Sequence, residues 1–373
     1  MAATITKTEP DSAAVRNQVD DKHRVKSLRP GMLAFGIAAG VWLITLALVC
    51  VLPWWTWWAK LLFAFINGSA ISALFLAGHD AGHGSLLPKR WMNRFVGRLS
   101  LLPSLHPFTA WCHNHNALHH GFTNIKEKDP GFPPLSIEEY RNKSRLGRWF
   151  YRRCRDNFLG LGMMYFTGMW MKWEMFPNSA RTPRNRRQFQ IDRLCVVAFL
   201  IAWIGVCFGS AFVFEAAGDE WIGVAVNLLT GLVLPYAVWN IEIGFIIFQQ
   251  HTHPRVPWYS ELDKPNPTYF QAQVKATPHI WFAGPFRFLM RNIMEHTAHH
   301  ADSGIPHYHL TEAQHQIERQ YKKEMVRVIW SRKVLKATLQ TCRLYDYETH
   351  RWCDYDGTPL TESLIVRVPV SAN

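Results

Sequence analysis

The run MLAFGIAAGVWLITLALVCVL, Met32–Leu52, carries no charged side chain and matches the ~20 residues an α-helix needs to cross the hydrocarbon core of a bilayer. PWWTWW, Pro53–Trp58, follows at once, supplying a turn and four Trp, a side chain enriched where hydrocarbon meets headgroups. A second apolar run, LLFAFINGSAISALFLAG (Leu61–Gly78), leads back. Two more, Leu194–Phe214 and Trp221–Phe248, are joined by the short acidic stretch EAAGDE. This pattern predicts an all-α integral membrane protein with four transmembrane helices in two hairpins, at about 32–52, 61–78, 194–214 and 221–248.

The segment between the hairpins is crowded with Lys and Arg, including Arg152, Arg153, Arg155, Arg181, Arg184, Arg186 and Arg187, and such loops stay in the cytoplasm. Both hairpins then begin and end there. The expected organisation is a cytosolic, mobile N-terminal tail (1–31), a membrane domain (32–350) and a C-terminal tail (351–373). Within the membrane domain, residues 79–193 and 249–350 form a cytosolic helical cap. Both termini are expected in the cytosol, and in a bacterium the membrane is the cytoplasmic (inner) one. Residues 1–31 mix Asp with Lys and Arg, which suits neither a transit peptide nor a signal peptide. Phe158–Trp173 is apolar but broken by glycines and flanked by charge, so it is read as a helix lying in the interface and not as a fifth span. Glu324–Leu339 reads as an amphipathic helix.

Seventeen Trp and 23 Phe beside 18% charged residues weigh against a purely soluble enzyme. The net charge of +13 accompanies no nucleic-acid-binding motif, so anionic lipid is the better partner for it. Seven Cys form no CxxC pair and are read as packing residues.

Most of the 18 His fall into clusters at the expected cytosolic ends of the spans. His79 and His83 (HDAGH) follow the second span, and positions i and i+4 share a helix face. His115, His119 and His120 lie in HNHNALHHGFTN, and His296, His299 and His300 in EHTAHH, where i, i+3 and i+4 again converge. QQHTHP, Gln249–Pro254, sits where the last span exits; His251, nearer the helix end, is favoured over His253 to complete the set. His106, His113, His279, His307 and His309 are read as hydrogen-bonded or surface residues, and the Glu312-x-x-His315 match as accidental. Nine clustered imidazoles exceed what one four-coordinate zinc uses, and there is neither HExxH nor a Cys-rich set. The count suits two metal ions, although imidazole alone does not choose among Fe, Cu, Zn and Ni.

HDAGHGS, then HNxxHHxxTN, then QHTHP, then HxxHH followed by IPHYHL, resemble the membrane fatty-acid desaturases, integral enzymes whose di-iron centre is held by histidine boxes. The likeness runs from about Phe75 to Tyr347. QHTHP and IPHYHL, with RLYDYETHRW behind them, are most similar to acyl-lipid desaturases of the omega-6 (Δ12) oleoyl type. The resemblance implies iron ligands at His79, His83, His115, His119, His120, His296, His299 and His300, with His251 as the ninth. It assigns no catalytic side chain beyond the metal centre. One departure stands out: the second box usually reads HxxHH, but here three residues separate His115 from His119, so either the helix fans its ligands differently or Asn116 stands near the metal.

Removing two hydrogens from an unactivated CH2–CH2 pair needs an oxidant that no side chain provides, so metal and O2 must supply it. The implied cofactors are therefore two Fe ions with O2 as co-substrate, and the implied substrate is an acyl chain on a membrane lipid or thioester. No HPGG haem motif occurs, which points to a separate ferredoxin-type or cytochrome b5-type electron donor. The same scaffold supports acyl hydroxylation or acetylenation. A His-rich metal transporter would want ionisable residues inside the spans, where only Glu242 qualifies.

Overall fold

The computed structural model describes residues 9–179 and 181–365. Four helices are long and apolar enough to cross a membrane: Leu28–Val51, Trp54–His83, Arg186–Phe214 and Glu220–His251. Each coincides with one expected span, the first ending one residue short of it, and extends beyond it at one end or both. The first stops at Leu52, whose backbone is extended, as the ring of Pro53 requires of its predecessor. The second runs until Gly84, which takes φ 71° and caps the helix by donating to Ala81 and Asp80 carbonyls; glycine adopts this left-handed conformation without steric cost. His79 and His83 thereby occupy its last turns. The third is started by Asn185, whose side chain accepts from the Gln188 amide. The fourth contains a π-helical stretch, Leu229–Val233, just before Pro235.

The first helix packs on the second, the second on the fourth, and the third on the first and on the start of the fourth. Outward faces are apolar: Ile44, Ile201 and Val213 are each more than 60% exposed. Side chains of this kind in continuous bands need lipid or another apolar cover.

The polar segments gather over the histidine ends of the second and fourth helices. Phe158–Met164 continues as a π-helix over Tyr165–Met175, and it is too short and too mixed to count among the candidate spans. It lies tight on the fourth helix because Gly162 meets the Ile241 backbone while Gly244 meets the Leu161 carbonyl, leaving no room for a β-carbon at either.

Three sequence expectations change. The fold is mostly helical but not all-α: His279–Trp281 pairs in parallel with Arg327–Ile329, and Leu344–Asp346 antiparallel with Arg351–Cys353. The helix expected over Glu324–Leu339 is instead that second strand followed by a helix at Arg332–Thr341, because Ser331 caps the latter by accepting from the Val334 amide. The N-terminal segment, expected to be mobile, is packed from residue 9 onward: Val15 and Val19 join a core with Ala298, Ala301, Leu310 and Ile317. Arg16 and Arg24 both bind Asp302, at 3.1 and 2.8 Å, and the Ser27 amide donates to Tyr308. Residues 1–8 and 366–373 of the two expected tails lie outside the described residues; the remainder of the C-terminal one begins inside the 344–353 hairpin, with Trp352 fully buried.

Candidate metal centre

The second helix, the fourth helix and two polar segments bring nine His to one place. Nitrogens of His79, His83, His115 and His299 lie within 4.8 Å of one another, and so do those of His119, His251, His296 and His300. The segments are divided between the groups. On the short helix His296–Ala301, His296 and His300 face one group while His299 faces the other. His120 stands between them: its Nε2 is 3.2 Å from His115 Nε2 and 3.1 Å from His299 Nε2, and its ring stacks 4.3 Å from that of His300.

The extra residue in the second box has a local cause and effect. His113–His119 is a π-helix, with the His120 amide donating to His115, the geometry by which a helix absorbs one added residue. Asn116 is thereby turned away from the cluster and donates to the Gly82 carbonyl. His253 is also outside it, its Nδ1 accepting from the Arg255 amide, whereas His251 is buried with its Nε2 2.8 Å from His296 Nε2.

Partners of the ring nitrogens explain the convergence. Asp80 contacts His79 Nδ1 at 3.1 Å and holds His307 through its other oxygen at 2.8 Å. Asp129 takes His119 Nδ1 at 2.7 Å, the Asn124 side chain meets His251 Nδ1 at 3.1 Å, and Gln273 meets His300 Nδ1 at 2.8 Å while donating to the His120 carbonyl. A carboxylate at Nδ1 keeps the proton there and leaves the Nε2 lone pair free. Asp129, Asn124 and Gln273 carry no motif of their own, and only the HxxTN string hinted at Asn124. That residue is held at φ 58°, a conformation asparagine tolerates.

Burial pushes His115, His120, His296, His299 and His300 well below the usual histidine range, and neighbouring imidazoles push the same way. Neutral rings are the metal-binding form. The Nε2 atoms of His83 and His300 are buried without any hydrogen-bond partner, which is costly for a polar atom unless something accepts its lone pair. The donor set therefore fits a pair of transition-metal ions.

One side of the cluster opens on a narrow cavity of about 50 Å³ lined by His79, His115, His119, His251 and His296 together with Phe75, Leu76, Met169, Ile243, Ile246 and Ile247. Glu174, also in its wall, is pushed up to about 8 by burial, against a hydrogen bond with Asn114. Trp111 stacks on His115 at 4.6 Å and sits where Gly82 leaves no β-carbon in its way.

The family model for fatty acid desaturase matches residues 52–332. The chain belongs to the fatty acid desaturase family. As a fatty acyl desaturase it is an oxidoreductase that introduces a carbon–carbon double bond into an acyl chain, and its four apolar helices fit the membrane. It is similar to the sn-1 oleoyl-lipid 12-desaturase of Picosynechococcus sp. (27% identical over 305 residues, 81% of this chain and 80% of that one). An enzyme of the same name from Synechocystis sp. is 26% identical over 93% of this chain and 95% of its own. The sn-1 acyl-lipid omega-3 desaturase (ferredoxin) of Nostoc sp. is 27% identical over 72% and 71%.

Proposed function

We propose that the nine histidines hold two iron ions and that this desaturase acts at the Δ12 (omega-6) position of an oleoyl-type chain on a membrane lipid. The observation that carries the reading is the pair of four-imidazole groups at the wall of an apolar cavity. The names of the relatives support the regiochemistry and the lipid carrier.

His79, His83, His115 and His299 would hold one ion and His119, His251, His296 and His300 the other, with His120 placed to serve between them. When bound, iron with O2 supplies the oxidant that an unactivated CH2–CH2 pair demands. The chain's own residues do the rest. Asp80 and Asp129 retain protons on Nδ1 of His79 and His119 and so fix the orientation of those rings. Phe75, Ile243, Ile246 and Ile247 exclude water, keep the substrate methylenes beside the histidines and limit side reactions. An external ferredoxin-type or cytochrome b5-type protein supplies electrons. The topology is two hairpins beneath a cytosolic cap with both termini in the cytosol, supported by the basic residues on the cap side and their absence from the 53–58 and 215–220 turns.

Expression in a host whose lipids stop at oleate, followed by mapping of double bonds, tests the activity. A new bond at Δ12 is expected; products that gain oxygen would instead make the enzyme a hydroxylase, and those carrying a triple bond an acetylenase. Iron content of purified variants tests the ligands: His251→Ala should lose iron and His253→Ala keep most of it, and the opposite result would reassign the ninth position. Cysteine labelling of the 215–220 turn only from the cytosolic side would refute the topology.

A further inference from the structure

A second cavity reaches the histidine cluster from another direction. It has about 790 Å³ and is lined by Gly82, His83 and Asn116 at its inner end and by Arg90, Arg94 and Arg98 along one wall. It shares no lining residue with the apolar cavity. The three arginines recur every fourth residue on the helix Arg90–Leu101, so they form one stripe. Arg98 is tied to Asp192 at 3.0 Å, whereas Arg90 and Arg94 are exposed and, among the described residues, stand in no ion pair. Asn185 and Gln188 form the opposite rim, beside the exposed Arg184, Arg186 and Arg187. His83 is half-buried at the inner end, its ring 4.9 Å from His299 and 4.8 Å from His120.

The geometry points to this basic cavity as the docking surface for an acidic one-electron carrier protein, with His83 as the point where electrons enter the metal centre. The inference rests on the proposed di-iron reading and on an external donor. Forming one double bond while reducing O2 to two waters takes four electrons and four protons in all. Two of the electrons leave with the substrate's two hydrogens; the other two come from two successive encounters, each oxidising the carrier by one electron, and the two added protons come from water. The carrier must approach the metal-bound histidines without entering the acyl cavity, and this opening does that. Its wall carries Arg90, Arg94 and Arg98, and Arg184, Arg186 and Arg187 lie beside its other rim, an array of cationic groups from two separate segments that suits the acidic edge of a protein. Unpaired arginines around such a mouth attract an anionic partner over a distance and raise its association rate, an effect that falls with ionic strength.

The test uses full-length protein in nanodiscs and a reduced plant-type [2Fe–2S] ferredoxin as the probe. Association is measured on the metal-free and the iron-loaded forms of wild type and of an Arg90→Glu/Arg94→Glu variant. The charge-reversed protein should associate about tenfold more slowly at low salt, with the difference fading at high salt, in both forms. A single turnover, in which enzyme reduced with dithionite and then freed of it anaerobically is mixed with O2, should be unchanged, while KM for ferredoxin rises. Equal ferredoxin association in the two proteins overturns the docking surface, as does an equal loss of that single turnover. Retained ferredoxin kinetics with lost dependence on anionic phospholipid in the disc would assign the arginines to a lipid headgroup and likewise overturn it. Wild type that makes no double bond even in the single turnover with O2 fails the di-iron desaturase reading itself, whereas wild type that does, beside a variant with unaltered ferredoxin affinity, fails the docking surface alone.

Discussion

Asp129 shows how much of the centre depends on groups that are not themselves ligands. Fully buried, it touches His119 Nδ1 and accepts from the Asn124 and Gly131 amides, each at 2.7 Å. Asp129→Asn preserves its size but removes the charge that holds the Nδ1 proton, and loss of such a partner usually costs about 10 to 100-fold in metal affinity or activity. Iron titration of the purified variant checks this; wild-type affinity would remove Asp129 from the centre. Glu174 makes a pH-dependent prediction. Burial raises its folded pKa from an ordinary 4.5 to about 8, so between these values the folded state binds more protons than the unfolded one, and stability falls as pH rises. Because the buried histidines pull the other way at low pH, the effect is read between pH 7.5 and 9, where metal-free protein should melt at a lower temperature as pH rises and Glu174→Gln should reduce that fall. Thermal unfolding in detergent measures it. The spacing within HDAGH, HNALHH and HTAHH aligned the histidines of each box, and the placement of all three boxes at the expected cytosolic ends of the spans put the eight on one side. Glu174 and Gln273 were illegible because their partners, Asn114 and His300, lie 60 and 27 positions away.

At the scale of elements, the π-helix His113–His119 reconciles HxxxHH with the more usual HxxHH. A π turn holds one residue more than the α turn it replaces, so it can be converted back. Deleting Ala117, which is exposed, should restore α geometry, bring the spacing to HxxHH and leave a large part of the iron bound. Iron analysis of the deletion protein checks this, and complete loss of metal would mean that the π turn sets the ring directions. Gly82 belongs to the same contact between elements. A β-carbon there runs into the Trp111 ring, so Gly82→Ala should displace the Trp111 face that stacks on His115 and lower activity more than it lowers the amount of protein reaching the membrane. Motif spacing in one dimension counts residues but does not show the hydrogen-bond step of the helix that carries them.

Across the whole molecule, the N-terminal segment braces the third histidine box. Asp302 is 5% exposed and binds both Arg16 and Arg24 immediately after the helix His296–Ala301. Asp302→Ala leaves two arginines without their shared partner, a loss worth about 2 kcal/mol where charged hydrogen bonds are involved. The melting temperature should drop and iron should be lost faster to a chelator; an unchanged rate of iron loss would confine the segment to a role away from the centre. Nothing in the composition of 1–31 signalled this packing, because among the described residues of this segment Val15 and Val19 are its members of the apolar core and two isolated valines make no periodic pattern.

The sequence by itself determined the four long apolar helices, the approximate ends of each and the meeting of the histidine boxes. These follow from composition over ~20 residues and from helical spacing, both of which are local. Only the tertiary structure decided how nine histidines divide into two groups with His120 between, that His251 and not His253 joins them, and which polar residues orient the rings. It also split the expected helix over Glu324–Leu339 into a strand and a helix at Arg332–Thr341 and bound the N-terminal segment to Asp302. Each of these depends on contacts between residues far apart in the chain, where the outcome is set by which surfaces meet and which buried polar atoms find a partner, and no local pattern records that.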